Sequence, residues 1–140
     1  MAQSEEKAVE WYTKAAEQGM VDAQEALGGM YLEGKGVAKN DEKAAEWYAK
    51  AAEQGQKDAQ FRLGVMYREG IGVGQSDEKA FELFNKATEQ GMMEAQYYLG
   101  AIYKEGRGVA QSDEKAVEWY TKAAEQGQKD AQCNLGAMCV

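Results

Sequence analysis

Pairs of neighbouring acidic residues recur along the chain, and their spacing makes them the first candidates for catalytic groups. The pairs are Glu5 and Glu6, Asp41 and Glu42, Asp77 and Glu78, and Asp113 and Glu114. Two carboxyl groups can act as general acid and general base in hydrolysis. A catalytic pair is needed only once, however, and these recur every 36 residues. Because acidic side chains stabilise the first turn of a helix, the spacing predicts helix starts rather than an active site.

The other candidates for chemistry are few. The chain has no histidine, which removes the commonest general base and zinc ligand. Segments such as 34–36 contain a Gly-x-Gly phrase, but they follow a predicted helix and lack the remainder of a phosphate-binding loop. Cys133 and Cys139 lie in the last predicted helix, where about 9 Å of helical rise separates them and prevents a disulfide. We therefore predict no catalytic residue, no metal or cofactor, and two free thiols.

The elements that must position any site form a repeat of 36 residues, marked by Leu27, Leu63, Leu99 and Leu135. Apolar spacing predicts two helices in each unit. The first type, exemplified by 22–33, ends at the first glycine of a Glu-Gly-x-Gly-Val connection. The second type, exemplified by 41–54, follows an N-cap candidate (Asn40, Ser76 or Ser112) and ends at a glycine suited to the left-handed C′ position.

The predicted fold is all-α, with one repeat array covering residues 1–140. It comprises a helix at 4–18, hairpins at 22–54, 58–90 and 94–126, and a terminal helix at 130–139. Gly28, Gly64, Gly100 and Gly136 fall inside first-type helices, where each costs about 1 kcal/mol relative to alanine, so we predict close helix packing there. The recurring Trp11, Trp47 and Trp119, together with the tyrosines of the same stripe, are predicted to form the core between units.

The repeated phrase AxxxLGxxYxxGxGVxxxxxKAxxWYxKAAxQG resembles the Sel1-like repeat, a relative of the tetratricopeptide repeat. The resemblance covers essentially the whole chain. It implies a right-handed α/α solenoid of antiparallel hairpins whose first helices line a concave groove. The cysteine-rich secreted branch of that family joins each hairpin by a disulfide, and the corresponding cysteine pair is missing here.

Composition excludes several classes of partner. The formal charge is −8, from 24 acidic and 16 basic residues, which argues against binding to a phosphate backbone. No stretch reaches the roughly 20 apolar residues of a membrane span. The start of the chain lacks the charged-then-apolar layout of a signal peptide. We therefore expect a soluble chain with no nucleic acid partner and no membrane insertion.

One face of the first-type helices varies from unit to unit while the opposite face stays apolar. A variable face on a constant scaffold is typical of a binding surface, and aromatic residues beside arginine favour protein contacts. We predict that the middle units bind a peptide or partner helix with local acidic charge. The predicted groove residues are Phe61, Arg62, Val65, Arg68, Tyr97, Tyr98, Ala101 and Lys104.

Three other hypotheses stay open at this stage. The chain could be a hydrolase or a binder of cell-wall ligands, by analogy with the cysteine-rich branch. It could be an excised or engineered scaffold without a partner. The terminal helix of one copy could also dock on the first helix of another, packing Leu135 and Met138 against Trp11 and Tyr12, which predicts head-to-tail self-association.

Overall fold

A computed structural model of the chain describes residues 3–138. Every regular element in that range is an α-helix, so the all-α prediction is confirmed, and first-type and second-type helices alternate along the chain. The helices are α1 (Gln3–Glu17), α2 (Val21–Glu33), α3 (Asp41–Glu53), α4 (Lys57–Glu69), α5 (Asp77–Glu89), α6 (Met93–Glu105), α7 (Asp113–Glu125) and α8 (Lys129–Met138).

The helices form two compact units that divide between Gln75 and Ser76. In the first unit, α1 packs on α2, α2 on α3, and α3 on α4. In the second unit, α5 packs on α6, α6 on α7, and α7 on α8. Within each unit, consecutive helices thus bury their apolar stripes against one another, as expected for a stack of repeats.

The second-type helices begin at the predicted caps. Asn40 Oδ1 accepts a hydrogen bond from the backbone N–H of Lys43 at 3.0 Å. The hydroxyls of Ser76 and Ser112 accept equivalent bonds from the third residue beyond them, at 3.2 and 3.1 Å. Each cap satisfies one of the N–H groups that a helix start leaves unpaired.

Glutamine caps two of the first-type helices, which the sequence analysis did not predict. Gln56 Oε1 accepts a hydrogen bond from Ala59 N at 2.7 Å, at the start of α4. Gln128 Oε1 does the same for Ala131 N at 2.6 Å, at the start of α8. Met20 and Met92 occupy the same position before α2 and α6 and give no side-chain cap.

The glycine connections have the predicted left-handed backbone. Gly34 ends α2 with φ of 72°, a conformation that only glycine adopts without strain. Gly36 has φ of 78°, and a Cβ added there would lie 2.5 Å from the carbonyl oxygen of Glu5. The second glycine of the connection therefore also lets the loop pack directly on α1.

The aromatic core is only part of the predicted set, because it includes tyrosines but not the tryptophans. Trp11 is 66% exposed, and Trp47 and Trp119 are only half-buried. The buried rings belong to Tyr48 and Tyr120, the residues after Trp47 and Trp119, which are 1% and 2% exposed, whereas Tyr12 after Trp11 is 42% exposed. Each tryptophan ring instead contacts the lysine three residues later in sequence, whose ammonium lies 4.3 to 4.7 Å from the ring centroid.

Candidate functional site

The variable face predicted to bind a partner is split between the two units. We call its first-unit part the α4 patch, and it contains Phe61, Arg62, Val65 and Arg68. We call its second-unit part the α6 patch, and it contains Tyr97, Tyr98, Ala101 and Lys104. Helical geometry confines the four residues of each patch to an arc of about 120° on one helix, because most of them are spaced by three or four positions.

The α4 patch combines an exposed cation with half-buried apolar groups. Arg62 is exposed, whereas Phe61, Val65 and Arg68 are each half-buried. The Arg62 guanidinium acts electrostatically on the phenol of Tyr48 in α3. Burial raises the pKa of Tyr48, and Arg62 opposes that rise. The α4 patch therefore lies beside the best-buried ring of the first unit.

Two carboxylates on α2 lie near the same phenol. Glu25 and Glu33 both raise the pKa of Tyr48 further. Gln56 Nε2 donates a hydrogen bond to Glu25 Oε1 at 3.3 Å, which ties the start of α4 to the variable face of α2. This part of the first unit thus presents both signs of charge around one neutral phenol.

The α6 patch is built on stacked aromatic rings. Tyr98 stacks on Phe84 of α5 with 5.1 Å between centroids. Tyr97 meets Tyr98 edge-on at 5.8 Å and lies 5.7 Å from Tyr120 of α7. Both tyrosines are half-buried, because their rings cover apolar surface of the neighbouring helices.

The other two residues of the α6 patch have opposite environments. Ala101 is 9% exposed and belongs to the core cluster around Tyr120, so it supplies packing rather than a surface side chain. Lys104 is exposed. The accessible chemistry of the two patches is therefore that of exposed cations and half-buried aromatic rings, which suits an acidic and partly apolar partner surface.

The interior beneath the patches explains the glycines inside the first-type helices. A Cβ added to Gly28 would lie 2.7 Å from Cε1 of Tyr48, and one added to Gly100 would lie 2.7 Å from Cδ1 of Tyr120. The predicted close packing is confirmed at these two positions. At Gly136, the equivalent position of α8, the prediction of close packing is wrong, because an added Cβ would have no atom of the described chain within 4 Å.

Buried glutamines form a feature that the sequence analysis missed. Gln24 is 4% exposed, and its Nε2 donates to the carbonyl of Ala16 at 3.1 Å. Its Oε1 accepts from Nε2 of Gln54 at 2.7 Å. Gln126 Nε2 donates to Oε1 of Gln96 in the same way at 2.6 Å. The signal was the recurrence of Ala-Gln at the start of each first-type helix and of Gln-Gly at the end of each second-type helix.

Groups that could do metal or thiol chemistry are sparse in the described chain. Within residues 3–138, no three His, Cys, Asp or Glu side chains are grouped as metal ligands. Cys133 is an exposed free thiol. Cys139, the second predicted free thiol, lies outside the described residues. No helix in the described range is both long and apolar enough to span a membrane.

The repeat boundaries seen in the helices coincide with a known protein family. The Sel1 repeat profile matches residues 1–20, 21–56, 57–92 and 94–128. This chain belongs to the Sel1 repeat family. Sel1 repeat proteins have an all-α repeat-solenoid fold and are generally protein-interaction scaffolds, typically without catalytic activity.

Solved Sel1 repeat structures resemble this chain closely. A protective antigen of uropathogenic Escherichia coli strains, which displays an SLR fold, is 45% identical over 93% of this chain, with a TM-score of 0.90. A Sel1 repeat protein from Oxalobacter formigenes is 40% identical over 93% of the chain, with a TM-score of 0.89. This chain spans only 28% and 54% of the lengths of those two proteins.

A third structure has the length of this chain. Cysteine rich protein B of Helicobacter pylori is 25% identical, with 95% of each chain covered and a TM-score of 0.70. Among curated protein sequences, none matches the chain significantly. The family and fold are therefore shown by the repeat profile and by these structures.

Proposed function

We propose that this chain is a non-catalytic scaffold that binds a peptide or a partner helix through the α4 patch of its first unit or the α6 patch of its second. The observation that supports the proposal is the contrast between two faces of the same helices. Leu27, Leu63 and Leu99 are at most 5% exposed and do not vary, whereas the patches differ in every repeat. Family membership supports the same role, because Sel1 repeat proteins are generally protein-interaction scaffolds.

The proposed partner is acidic and carries apolar side chains. Arg62 and Lys104 are exposed cations, which favour a partner with acidic side chains. The half-buried rings of Phe61 and Tyr98 offer apolar area on the same two helices. Aromatic residues and arginine are the side chains that most often dominate binding energy at protein interfaces.

The experiment that tests this function selects ligands from a displayed library of random peptides. We expect the selected peptides to be rich in Asp and Glu beside aromatic or aliphatic residues. The affinity of one selected peptide is then measured by fluorescence anisotropy for Arg62→Glu and for Lys104→Glu. Reversal of an interfacial charge should weaken binding by about tenfold or more, at the patch that binds that peptide.

A matched charge reversal provides the control. Lys86→Glu makes the same change at an exposed position of α5 outside both patches, and we expect it to leave peptide affinity unchanged. Equal losses in all three variants would indicate only long-range attraction between charges. Selected peptides that bind equally well to all variants would show that the patches are not the binding surface.

A hydrolase or a binder of cell-wall ligands is the competing function. Neither patch contains a serine, a histidine or a carboxylate, so the patches supply no nucleophile or general base of the usual kinds. Release of product from a peptidoglycan fragment incubated with the chain would favour the competing function over the scaffold.

We also infer that a second copy of this chain is among its protein partners. That contact uses α1 and α8 rather than the patches, because Trp11 and Tyr12 of α1 and Met20 just after it are the three most exposed large hydrophobic side chains in the described chain.

A further inference from the structure

The exposed faces of α1 and α8 match the two sides of a contact that the chain already makes internally. We infer that α8 of one copy packs on α1 of a second copy in the way that α2 packs on α3 and α6 on α7. This inference deepens the proposed protein-binding function by naming one partner and its contact. It does not depend on the patches, so the two can fail separately.

The first match is between a ring and a glycine. Tyr48 covers Gly28 and Tyr120 covers Gly100, and in both pairs an added Cβ would approach the ring to 2.7 Å. Tyr12 has the same repeat position as Tyr48 but is 42% exposed. Gly136 has the same position as Gly28 and faces open space. Each copy therefore has an exposed Tyr12 with no glycine beneath its ring, and a Gly136 that no ring covers.

The second match is between two glutamines. Inside each unit, the glutamine at the end of a second-type helix donates to Oε1 of the glutamine near the start of the preceding first-type helix. Gln18 and Gln132 are the corresponding residues of α1 and α8, and both are exposed. Gln132 Nε2 donates to the carbonyl of Ala124 at 3.1 Å, as Gln24 does to that of Ala16. Its Oε1 is then available for Gln18 of a second copy.

Apolar surface on both helices would drive the contact. Trp11, Tyr12 and Met20 are 66%, 42% and 58% exposed and border a shallow cavity of about 460 Å³. On α8, Leu135 is only half-buried, whereas Leu27 and Leu99 at its repeat position are 0% exposed. Burial of such side chains is the main favourable term in association.

The contact joins two different surfaces, so it is heterologous. Each copy that binds through α8 still presents its own α1, and each that binds through α1 still presents its own α8. A heterologous contact of this kind adds further copies instead of stopping at a symmetric dimer. Association should therefore increase continuously with concentration.

Sedimentation velocity of the 140-residue chain tests the inference, between about 10 µM and about 1 mM. A reducing agent is present so that the exposed Cys133 cannot form intermolecular disulfides. We expect the weight-average sedimentation coefficient to rise with concentration in the wild type. Tyr12→Ala should weaken this association by about tenfold or more because it removes the ring.

Gly136→Ala is the decisive variant because it affects folding and docking in opposite directions. The added Cβ meets nothing within 4 Å in a single copy, and alanine favours a helix over glycine, so the melting temperature should rise or stay unchanged. The same Cβ would collide with Tyr12 of a second copy and should weaken association by about tenfold or more. Gly74→Ala, also in open space but distant from α1 and α8 in sequence, should associate like the wild type.

Two results would overturn the inference. One is a wild-type chain that remains monomeric up to about 1 mM. The other is a Gly136→Ala variant that associates as strongly as the wild type, which would place any self-association elsewhere. Peptide binding by the patches is measured on the same Gly136→Ala variant, where it should persist, so loss of self-association does not count against the proposed function.

Discussion

The ring of Tyr48 in α3 lies directly over the backbone of Gly28 in α2. A side chain at residue 28 would begin 2.7 Å from Cε1 and 2.8 Å from Cδ1 and Cζ of that ring, distances that heavy atoms do not tolerate. Glycine is a poorer helix former than alanine, but its lack of a side chain lets α2 and α3 approach each other closely. The same relationship holds between Gly100 in α6 and Tyr120 in α7.

Gly28→Ala is accordingly expected to destabilise the chain, although alanine favours a helix by about 1 kcal/mol. Overpacking against a fixed ring costs about 1–3 kcal/mol and exceeds that gain. Urea denaturation followed by circular dichroism measures the change in free energy of unfolding. Gly136→Ala is the matched control, with an expected gain of up to about 1 kcal/mol because its site is open. Equal effects of the two variants would contradict the packing role of Gly28.

Tyr48→Ala should cost more stability than Trp47→Ala. Tyr48 is 1% exposed, and truncation of a fully buried aromatic ring costs about 3–5 kcal/mol. Trp47 is half-buried, with its ring under the ammonium of Lys50 at 4.5 Å, so its truncation leaves a smaller cavity. Urea denaturation of both variants shows which one loses more free energy of unfolding. A larger loss of stability in Trp47→Ala would mean that Trp47, and not Tyr48, is the main core residue.

Much of this fold follows from the sequence because its determinants are local. The spacing of leucine and alanine, the caps at Asn40 and Ser76, and the glycine connections each act within one helix or turn. The choice between Trp47 and Tyr48 is different, since adjacent residues on a helix point about 100° apart and both are apolar enough for a core. That choice is decided by which ring fits over Gly28, a contact between helices that the repeat alone does not specify.

For the candidate site, the helix that carries each residue could be predicted from the sequence, but the burial of each residue could not. The sequence places Tyr97, Tyr98 and Ala101 on one side of α6, and the structure has them on that helix. Their burial depends on Phe84 and Tyr120 of the neighbouring helices, which turn a predicted surface into a partly packed one. Arg62 and Lys104 remain exposed because charged groups stay hydrated unless they are paired.

Gln24→Ala is expected to destabilise the chain by about 1–3 kcal/mol. The substitution removes two hydrogen bonds, one to the carbonyl of Ala16 at 3.1 Å and one from Gln54 at 2.7 Å, and each lost bond costs about 0.5–1.5 kcal/mol. Gln132→Ala is the control, because Gln132 is exposed and water can replace its bond; we expect a change within about 0.5 kcal/mol. Similar losses in the two variants would show that burial of the glutamine is unimportant.

Thr88→Val is expected to stabilise the chain by about 1 kcal/mol. Thr88 Oγ1 is buried and has no hydrogen-bond partner among residues 3–138, whereas the hydroxyls of Thr13 and Thr121 each donate to a carbonyl four residues earlier at 2.6 Å. Valine keeps the shape and removes the unsatisfied hydroxyl. Thr121→Val, at an exposed and bonded position, serves as the control and should give little gain. A loss of stability in Thr88→Val would mean that the hydroxyl contributes to folding.

Stability should also decline at alkaline pH in a way that depends on Tyr48. Burial raises the pKa of this phenol above its ordinary value of 10.0, the Arg62 guanidinium partly offsets the rise, and Glu25 and Glu33 add to it. Below pH 10 the phenol is neutral in both folded and unfolded chains. Above pH 10 the unfolded chain releases the proton while the folded chain retains it, so the unfolded state is favoured progressively.

The free energy of unfolding, measured in urea from about pH 8 to about pH 11, should therefore fall across the alkaline end of that range. Tyr48→Phe should flatten the decline because it removes the phenol and keeps the ring over Gly28. Arg62→Ala should steepen it, since the cation that lowers the pKa of Tyr48 is lost. Tyr12→Phe, which removes a phenol that is 42% exposed, is the control for loss of a hydroxyl. If Tyr48→Phe and the wild type show the same slope, the buried phenol is not the group that links folding to alkaline pH.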